Sequence, residues 1–172
     1  MVRDLRPEQL ATVTLGGDVV DGELEPENAE IIRMHSVIYN TRDDIAAVIH
    51  TPSPAATAFA LANLPLPCRT EPLLRFGQAQ PVPVVPWGPR GSDVSVKGIT
   101  QVLAENAGTN AVLLGNHGLL AFGADPVATG RLVIAIEESA AAELAAAALG
   151  GAADLPSGAL DAVQAGMKTQ RH

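Results

Sequence analysis

The chain has 172 residues, of which 47% are hydrophobic and 17% are charged. This length fits one ordinary domain, and the composition excludes a disordered chain because it supplies enough apolar surface for a compact core. The net charge is −8 at pH 7, with 11 basic and 19 acidic residues, so the surface repels nucleic-acid phosphates and anionic lipid.

Cys68 is the single cysteine of the chain, which excludes an internal disulfide and favours a reducing compartment. No apolar run reaches the roughly 18 residues that a membrane-spanning helix needs. The opening sequence MVRDLRPEQLATV carries charges throughout and lacks the apolar core of a signal peptide. We therefore expect a cytoplasmic protein with no membrane or nucleic-acid partner, organised as a single domain over residues 1–172.

The first predicted elements are a hairpin, a helix and a strand. The letters GGD at 16–18, between ATVTL and VVDGEL, are typical of a hairpin turn. Apolar side chains recur at helical spacing over residues 30–40, which predicts a helix there. The run AAVIHT then indicates a short strand, which ends before Pro52 because proline cannot donate a ladder hydrogen bond.

The second half of the chain predicts more helices around a pair of buried strands. Ser53 is predicted to cap a helix that follows it, and the Pro-rich residues 64–92 are predicted to form loops around one edge strand. A helix capped at Ser92-Asp93 precedes the sequence AVLLGNHGLLAFG, which indicates a buried strand, a turn and a returning strand. Asp125 opens the longest helix, and a short helix follows near the end of the chain. This alternation predicts an α/β fold with helices covering a mostly antiparallel or mixed sheet.

Two of the four histidines lie at the ends of predicted strands. His50 closes the strand before Pro52, and His117 lies in the turn between the two buried strands. We expect their side chains to converge at one edge of the sheet, where neutral imidazoles are good ligands for Zn²⁺ and similar metals. The alternative is that each is half-buried and bonded to backbone. His35, inside a helix, is predicted to be a structural hydrogen-bonding residue, and His172 to be an untethered tail residue.

From Glu30 to Gly123 the sequence resembles the class II aldolase/adducin family, which includes fuculose-phosphate aldolase and ribulose-phosphate epimerase. Three segments carry the resemblance: MHSVIYNTRDDIAAVIHTPSPAATAFA, FGQAQPVPVVPWGPRGSD and AVLLGNHGLLAFGADPVAT. The flank EQLATVTLGGDVVDGELEP resembles the two-strand element that precedes the family's first helix. The resemblance implies a three-layer α/β/α sandwich around a mostly antiparallel or mixed sheet.

The resemblance also implies a chemistry and an assembly. Members of this family are metal-dependent carbon–carbon lyases or epimerases, in which a Zn²⁺ held by three histidines polarises a ketose oxygen and a glutamate moves the proton. The family typically forms homotetramers with the site at the subunit boundary. We therefore expect a divalent metal, with zinc first and iron or manganese as alternatives, and a homotetramer that binds a small-molecule substrate.

Only two of the family's three metal-binding histidines have a matching histidine in this sequence. His50 matches the first histidine of the family's His-x-His pair, and His117 matches the histidine of its Asn-His-Gly turn. The second histidine of the pair falls on Pro52, whose side chain has no ligand atom. Since catalytic zinc usually has three protein ligands, we expect weak or substoichiometric metal binding at His50 and His117.

The carboxylate and phosphate-binding positions also differ from the family pattern. The family's catalytic glutamate falls on Ile31, and its paired serines fall on Ala29 and Glu30. Glu30 is the candidate catalytic carboxylate, or a third metal ligand if the start of the helix is shifted in register; the alternative is an exposed residue of the first helical turn. Glu71 is a second candidate carboxylate, with an exposed loop position as its alternative.

These residues are compatible with two functions. The first is a class II aldolase-like lyase acting on a small oxygenated substrate without a phosphate, because a carboxylate at Glu30 repels phosphate and the family's opening helix and Gly-Asn-x-Ser loop have no counterpart here. The second is a non-catalytic, adducin-like scaffold or binding module on the same fold, which Pro52 and Ile31 favour. Cys68 and Trp87 are predicted to serve packing rather than chemistry.

Overall fold

The chain folds around a four-stranded sheet, and a computed structural model describes residues 6–89 and 92–169. The strands are β1 (Thr12–Val13), β2 (Val19–Asp21), β3 (Ala47–Thr51), β4 (Val84–Val85), β5 (Ala111–Leu114) and β6 (Gly118–Gly123). The helices are α1 (Ala29–Thr41), α2 (Pro54–Ala62), α3 (Glu71–Arg75), α4 (Val94–Glu105), α5 (Pro126–Ala147) and α6 (Ala159–Thr169).

The sheet is mixed, as the sequence predicts. Its strand order is β3-β6-β5-β4, in which β6 pairs antiparallel with both β3 and β5 while β4 pairs parallel with β5. The parallel pair follows from the connection, since the chain passes through α4 between β4 and β5 and a helical crossover returns a strand in the same direction. The predicted hairpin is present as a separate two-stranded sheet of β1 and β2.

Helices cover both faces of the four-stranded sheet, which confirms the three-layer α/β/α arrangement. Successive residues of a strand point to opposite faces, so Leu120 and Phe122 of β6 pack with α1 and α4. Leu119 and Ala121 of the same strand pack with α2, α3 and α5 on the other face. The core is built from aliphatic side chains, with Phe122 as its largest fully buried member.

Both predicted helix caps, at Ser53 and at Ser92-Asp93, are wrong. Ser53 makes no side-chain hydrogen bond to the N-terminus of α2; Glu137 of α5 reaches that end of the helix. Asp93 does not cap α4, because its carboxylate instead pairs with the Arg33 guanidinium at 2.6 Å. Asp125 precedes α5 as predicted, and its carboxylate also caps this helix by accepting a hydrogen bond from the third backbone N–H after it, at 2.8 Å.

The Pro-rich middle of the chain contains one helix that the sequence analysis missed. The edge strand predicted there is β4, but residues 71–75 form α3 instead of loop. Leu73 and Leu74 of this short helix are buried, so packing on the sheet stabilises a helix too short to be stable by itself. Within the described residues, the chain has no helix with the length and apolarity to cross a membrane.

Candidate functional site

The fold brings His50 and His117 into contact. His50 lies in β3 opposite Leu120 of β6, and His117 lies in the turn that leads into β6. The two ring centroids are 4.6 Å apart, and the rings meet edge to face with an interplanar angle of 88°. The predicted convergence of these two side chains at one edge of the sheet is therefore present.

The turn that carries His117 requires its particular residues. Gly115 passes so close to β4 that a Cβ atom there would lie 3.0 Å from the carbonyl oxygen of Val85, and a Cβ on Gly118 would lie 2.9 Å from that of Thr51. Asn116 has a φ of 57°, a left-handed conformation that asparagine tolerates better than most residues. These residues hold the His117 turn tightly between the ends of the neighbouring strands.

Burial keeps the His50 imidazole neutral at physiological pH. It lowers the pKa of His50 from 6.5 to about 4, with smaller contributions from the nearby His117 and His35. A neutral imidazole keeps one ring nitrogen free of a proton, so it can accept a hydrogen bond or bind a metal. His50 is therefore in the protonation state that either role needs.

His35 differs from its prediction. Burial lowers the pKa of its imidazole, and its Nε2 atom has no hydrogen-bond partner among the described residues. The expected structural hydrogen bond at this nitrogen is therefore not formed. The sequence gives no signal for this, because the surroundings of His35 come from the distant β1–β2 hairpin, whose Val13 and Leu15 line a small apolar cavity beside it.

A cleft of about 300 Å³ opens beside His117. Glu30, Ile31 and Met34 of α1, Pro86, Trp87 and Gly88 after β4, Ser95 of α4, and the segment from Leu114 to His117 line it. Glu30 is only 9% exposed, so it is not the solvated first-turn residue of the alternative interpretation. Glu30 and His117 both line this cleft, which brings a carboxylate residue and a histidine to one space.

Trp87 and Ser95 join this cleft without having been predicted there. Trp87 is 59% exposed and lines the cleft beside Met34, so its position is at the candidate site as well as against apolar surface. The ends of parallel strands meet at the same edge of a sheet, so the residues after β4 lie beside the turn after β5. If the sequence analysis had predicted that β4 pairs parallel with β5, it would have placed Trp87 next to His117.

The remaining candidates lie elsewhere. Glu71 forms an ion pair with Arg75 one turn along α3 and lines a different cavity, against α6. The thiol of Cys68 donates a hydrogen bond to the carbonyl oxygen of Gln78 at 3.1 Å, and burial raises its pKa, which fits the predicted packing role. His172 lies outside the described residues.

The residues present fit only part of a metal site. His50 and His117 offer two imidazoles in contact, but the described residues contain no group of three or more His, Cys, Asp or Glu side chains arranged to hold a metal ion. Pro52 is exposed and supplies no ligand. A three-ligand catalytic centre is therefore not assembled within the described part of this chain.

The comparison with protein families decides the family. The family model described as "Class II Aldolase and Adducin N-terminal domain" matches residues 1–144. The chain belongs to this family. The match includes the strand, turn and strand that carry His117.

The relatives with known names that this chain resembles are aldolases. The chain is 31% identical over 120 residues to 5-deoxy-D-ribulose 1-phosphate aldolase of Bacillus thuringiensis serovar kurstaki, over 69% of this chain and 52% of that protein. It is 26% identical over 121 residues to L-fuculose phosphate aldolase of Methanococcus maripaludis, over 70% and 61% of the two chains. The chain thus spans only about half to three fifths of these relatives.

The solved structures agree on the fold. A structure of L-fuculose 1-phosphate aldolase superposes with a TM-score of 0.82 at 26% identity, covering 96% of this chain and 75% of that one. Such a likeness over nearly the whole chain shows that the described sheet and helices are those of a class II aldolase.

Proposed function

We propose that this protein is an aldehyde-lyase-type enzyme that cleaves a carbon–carbon bond in a small hydroxy-carbonyl compound. The observation that carries this proposal is the juxtaposition, at one cleft, of the buried Glu30 carboxylate with His117, whose ring contacts His50. Membership in a family with aldolase relatives supports the reaction class.

The residues of the cleft suit a proton transfer next to a carbonyl group. Glu30 is the catalytic carboxylate of the proposal: it accepts the proton of the substrate hydroxyl as the carbon–carbon bond breaks and the electron pair moves toward the carbonyl oxygen. The His117 imidazole faces the same cleft and can donate a hydrogen bond to that oxygen. Trp87 and Met34 provide apolar walls that reduce the access of water to the reacting atoms.

For the cofactor, we infer that His50 and His117 bind a divalent metal ion weakly. Zinc is the first candidate because imidazole ligands suit it, with iron or manganese as alternatives. Two protein ligands give lower affinity than the three of a usual catalytic zinc site, so purified protein should contain less than one metal ion per chain.

For the substrate class, we propose a compound without a phosphate group. Glu30 occupies the position of a family serine that helps to bind phosphate, and a carboxylate in a cleft of a chain with net charge −8 repels such a dianion. The names of the relatives point the other way, since both are sugar-phosphate aldolases. The assay below therefore includes both classes of compound.

A non-catalytic scaffold or binding module is the second candidate function. It is favoured by one observation, the lack of a three-ligand metal group among the described residues. In either case we propose a cytoplasmic homotetramer, a single domain over residues 1–172, and no membrane or nucleic-acid partner, on the charge and composition of the chain.

The test is a cleavage assay on ketose phosphates and matched unphosphorylated ketoses, each with and without added Zn²⁺. Trp87, the single tryptophan, reports binding in the cleft by its fluorescence. We expect cleavage of an unphosphorylated compound that is lost in Glu30→Gln and His117→Ala and kept in Glu71→Gln, the matched control outside the cleft.

The outcomes separate the candidates. Cleavage of ketose phosphates alone would contradict the proposed substrate class while supporting the lyase. Equal activity of Glu30→Gln and the wild type would contradict the role of Glu30. No cleavage and no fluorescence change with any compound would favour the scaffold.

A further inference from the structure

Glu137 of α5 makes a long-range contact with the start of α2. One of its carboxylate oxygens accepts a hydrogen bond from the backbone N–H of Ala55 at 2.8 Å, and the other accepts from that of Ala56 at 3.0 Å. These residues are 82 and 81 positions away in sequence. The carboxylate thus binds the N-terminus of α2 with both oxygens.

The first turn of α2 depends on this contact. A helix N-terminus has backbone N–H groups without partners inside the helix. Here Pro54 has no N–H, Ser53 does not cap, and the N–H of Thr57 already bonds to the carbonyl of Ser53 at 2.8 Å. Glu137 therefore satisfies the two remaining N–H groups, and its negative charge is favourable at the positive end of the helix dipole.

Helix α2 connects the two segments that carry the histidines. Its N-terminus follows His50 after the three residues 51–53, and its C-terminal turn reaches the other histidine's turn, where the N–H of Asn116 donates to the carbonyl of Ala60 at 3.2 Å. A shift of α2 along its axis would therefore move residues 51–53, and with them His50, relative to the turn that holds His117. Glu137 is anchored independently, because α5 packs on β3 and β6.

We propose that Glu137 is a positioning residue, whose carboxylate holds α2 in place and thereby keeps the His50 ring in contact with His117. This inference rests on the proposed function, in which the two imidazoles form part of the working site. Glu137 does not line the cleft, and its effect on the His50 ring passes through α2 and the residues 51–53 that join α2 to the segment of His50.

The test is nuclear magnetic resonance on the full 172-residue chain labelled at histidine. The NOE between the ring protons of His50 and His117 reports their distance, and circular dichroism gives the melting temperature of each variant. The variants are Glu137→Ala, Glu137→Gln and the matched control Glu138→Ala, whose side chain is exposed on the same helix.

We expect the NOE to be unchanged in Glu138→Ala, reduced in Glu137→Gln and weakest in Glu137→Ala. The glutamine keeps an oxygen that accepts one of the two hydrogen bonds, so it should restore part of the signal. NOE intensity falls with the sixth power of distance, so moving rings that are 4.6 Å apart by about 0.5 Å, the tolerance of a working site, reduces it roughly twofold.

A merely structural role predicts a different result. A lower melting temperature with an undiminished NOE in Glu137→Ala and Glu137→Gln, measured where both are folded, would overturn the inference. If Glu137→Ala does not fold, Glu137→Gln decides by the same criterion. A wild-type chain without the NOE would overturn the inference together with the site, whereas a normal NOE pattern in a chain without lyase activity would overturn only the proposed function.

Discussion

Pro52 is the position at which a third histidine would complete the proposed metal site. It lies two positions after His50, and residues two apart in an extended chain point to the same side. A histidine at this position would therefore add an imidazole on the side of the sheet edge where His50 and His117 already meet.

Replacing Pro52 with histidine should strengthen metal binding. We expect Pro52→His to lower the dissociation constant for Zn²⁺ by about tenfold or more, or about 1.4 kcal/mol, since a third imidazole completes the usual ligand set. Titration calorimetry measures this, and Pro52→Ala controls for the loss of the proline ring. One tightly bound zinc per wild-type chain, found by elemental analysis, would show that another side chain supplies the third ligand.

The buried imidazole of His35 makes stability depend on pH. Its pKa in the folded protein lies below the ordinary 6.5 because burial disfavours the charged form. Below about pH 6.5 the unfolded chain therefore binds a proton more readily than the folded one, and the free energy of unfolding falls as the pH falls. Above that pH this histidine is neutral in both states and contributes no slope.

Substitution of His35 by glutamine should flatten this dependence. We expect the urea midpoint of the wild type to fall more between pH 7.5 and pH 5 than that of His35→Gln. The substitution removes the lowered pKa of His35 and also the small contribution that His35 makes to the lowered pKa of His50. Equal falls in the two midpoints would show that His35 takes up its proton equally well in the folded state.

At the scale of elements, α2 and α5 begin in different ways although both begin with a proline. Asp125 caps α5 from the residue before it, at 2.8 Å from the N–H of Ala128. Ser53 occupies the same position before α2 but forms no cap, and Glu137 accepts the hydrogen bond from the helix N-terminus instead. The same sequence signal, a capping residue followed by proline, therefore leads to a local cap in one helix and a tertiary cap in the other.

This difference predicts unequal costs of removing the two side chains. We expect Asp125→Ala to lower the free energy of unfolding by about 1 kcal/mol, the usual cost of a lost cap. Ser53→Ala should cost clearly less, because no capping hydrogen bond is lost. Urea denaturation of both variants measures the difference, and a larger loss in Ser53→Ala would contradict the assignment of the caps.

At the scale of the whole molecule, exposed apolar residues on α5 mark a surface that a homotetramer could cover. Val127 and Ile134 lie two turns apart on one stripe of this helix and are 65% and 58% exposed. We expect light scattering to give four times the 17.7 kDa of one chain. A stable monomer at micromolar concentration would contradict the tetramer.

A charge on this stripe should disturb the assembly. We expect Ile134→Lys to shift the mass toward smaller species, because burying an unpaired ammonium group in an interface is costly. Leu61→Lys is the matched control, since Leu61 has a similar exposure of 59% but lies on α2. Equal masses for both variants would place the contact surface elsewhere.

Apart from α3, the helices and strands of this protein follow from the sequence by itself, and so does the convergence of His50 and His117. The helical spacing before Asn40, the capping Asp125 and the strand-turn-strand around His117 each depend on residues close together in the chain. The helix-strand alternation predicts the α/β class, and the family motifs predict the layers. Local preferences and short periodic patterns are sufficient for these features.

Only the tertiary structure decided how these elements form one site. It buries Glu30 in the cleft, turns Trp87 into the same space, and replaces the cap of Ser53 by Glu137. Each depends on residues many positions apart, whose approach is set by the packing of helices on both faces of a mixed sheet. Because a single sequence records the side chains but not which distant segments meet, periodicity and capping patterns could not predict these contacts.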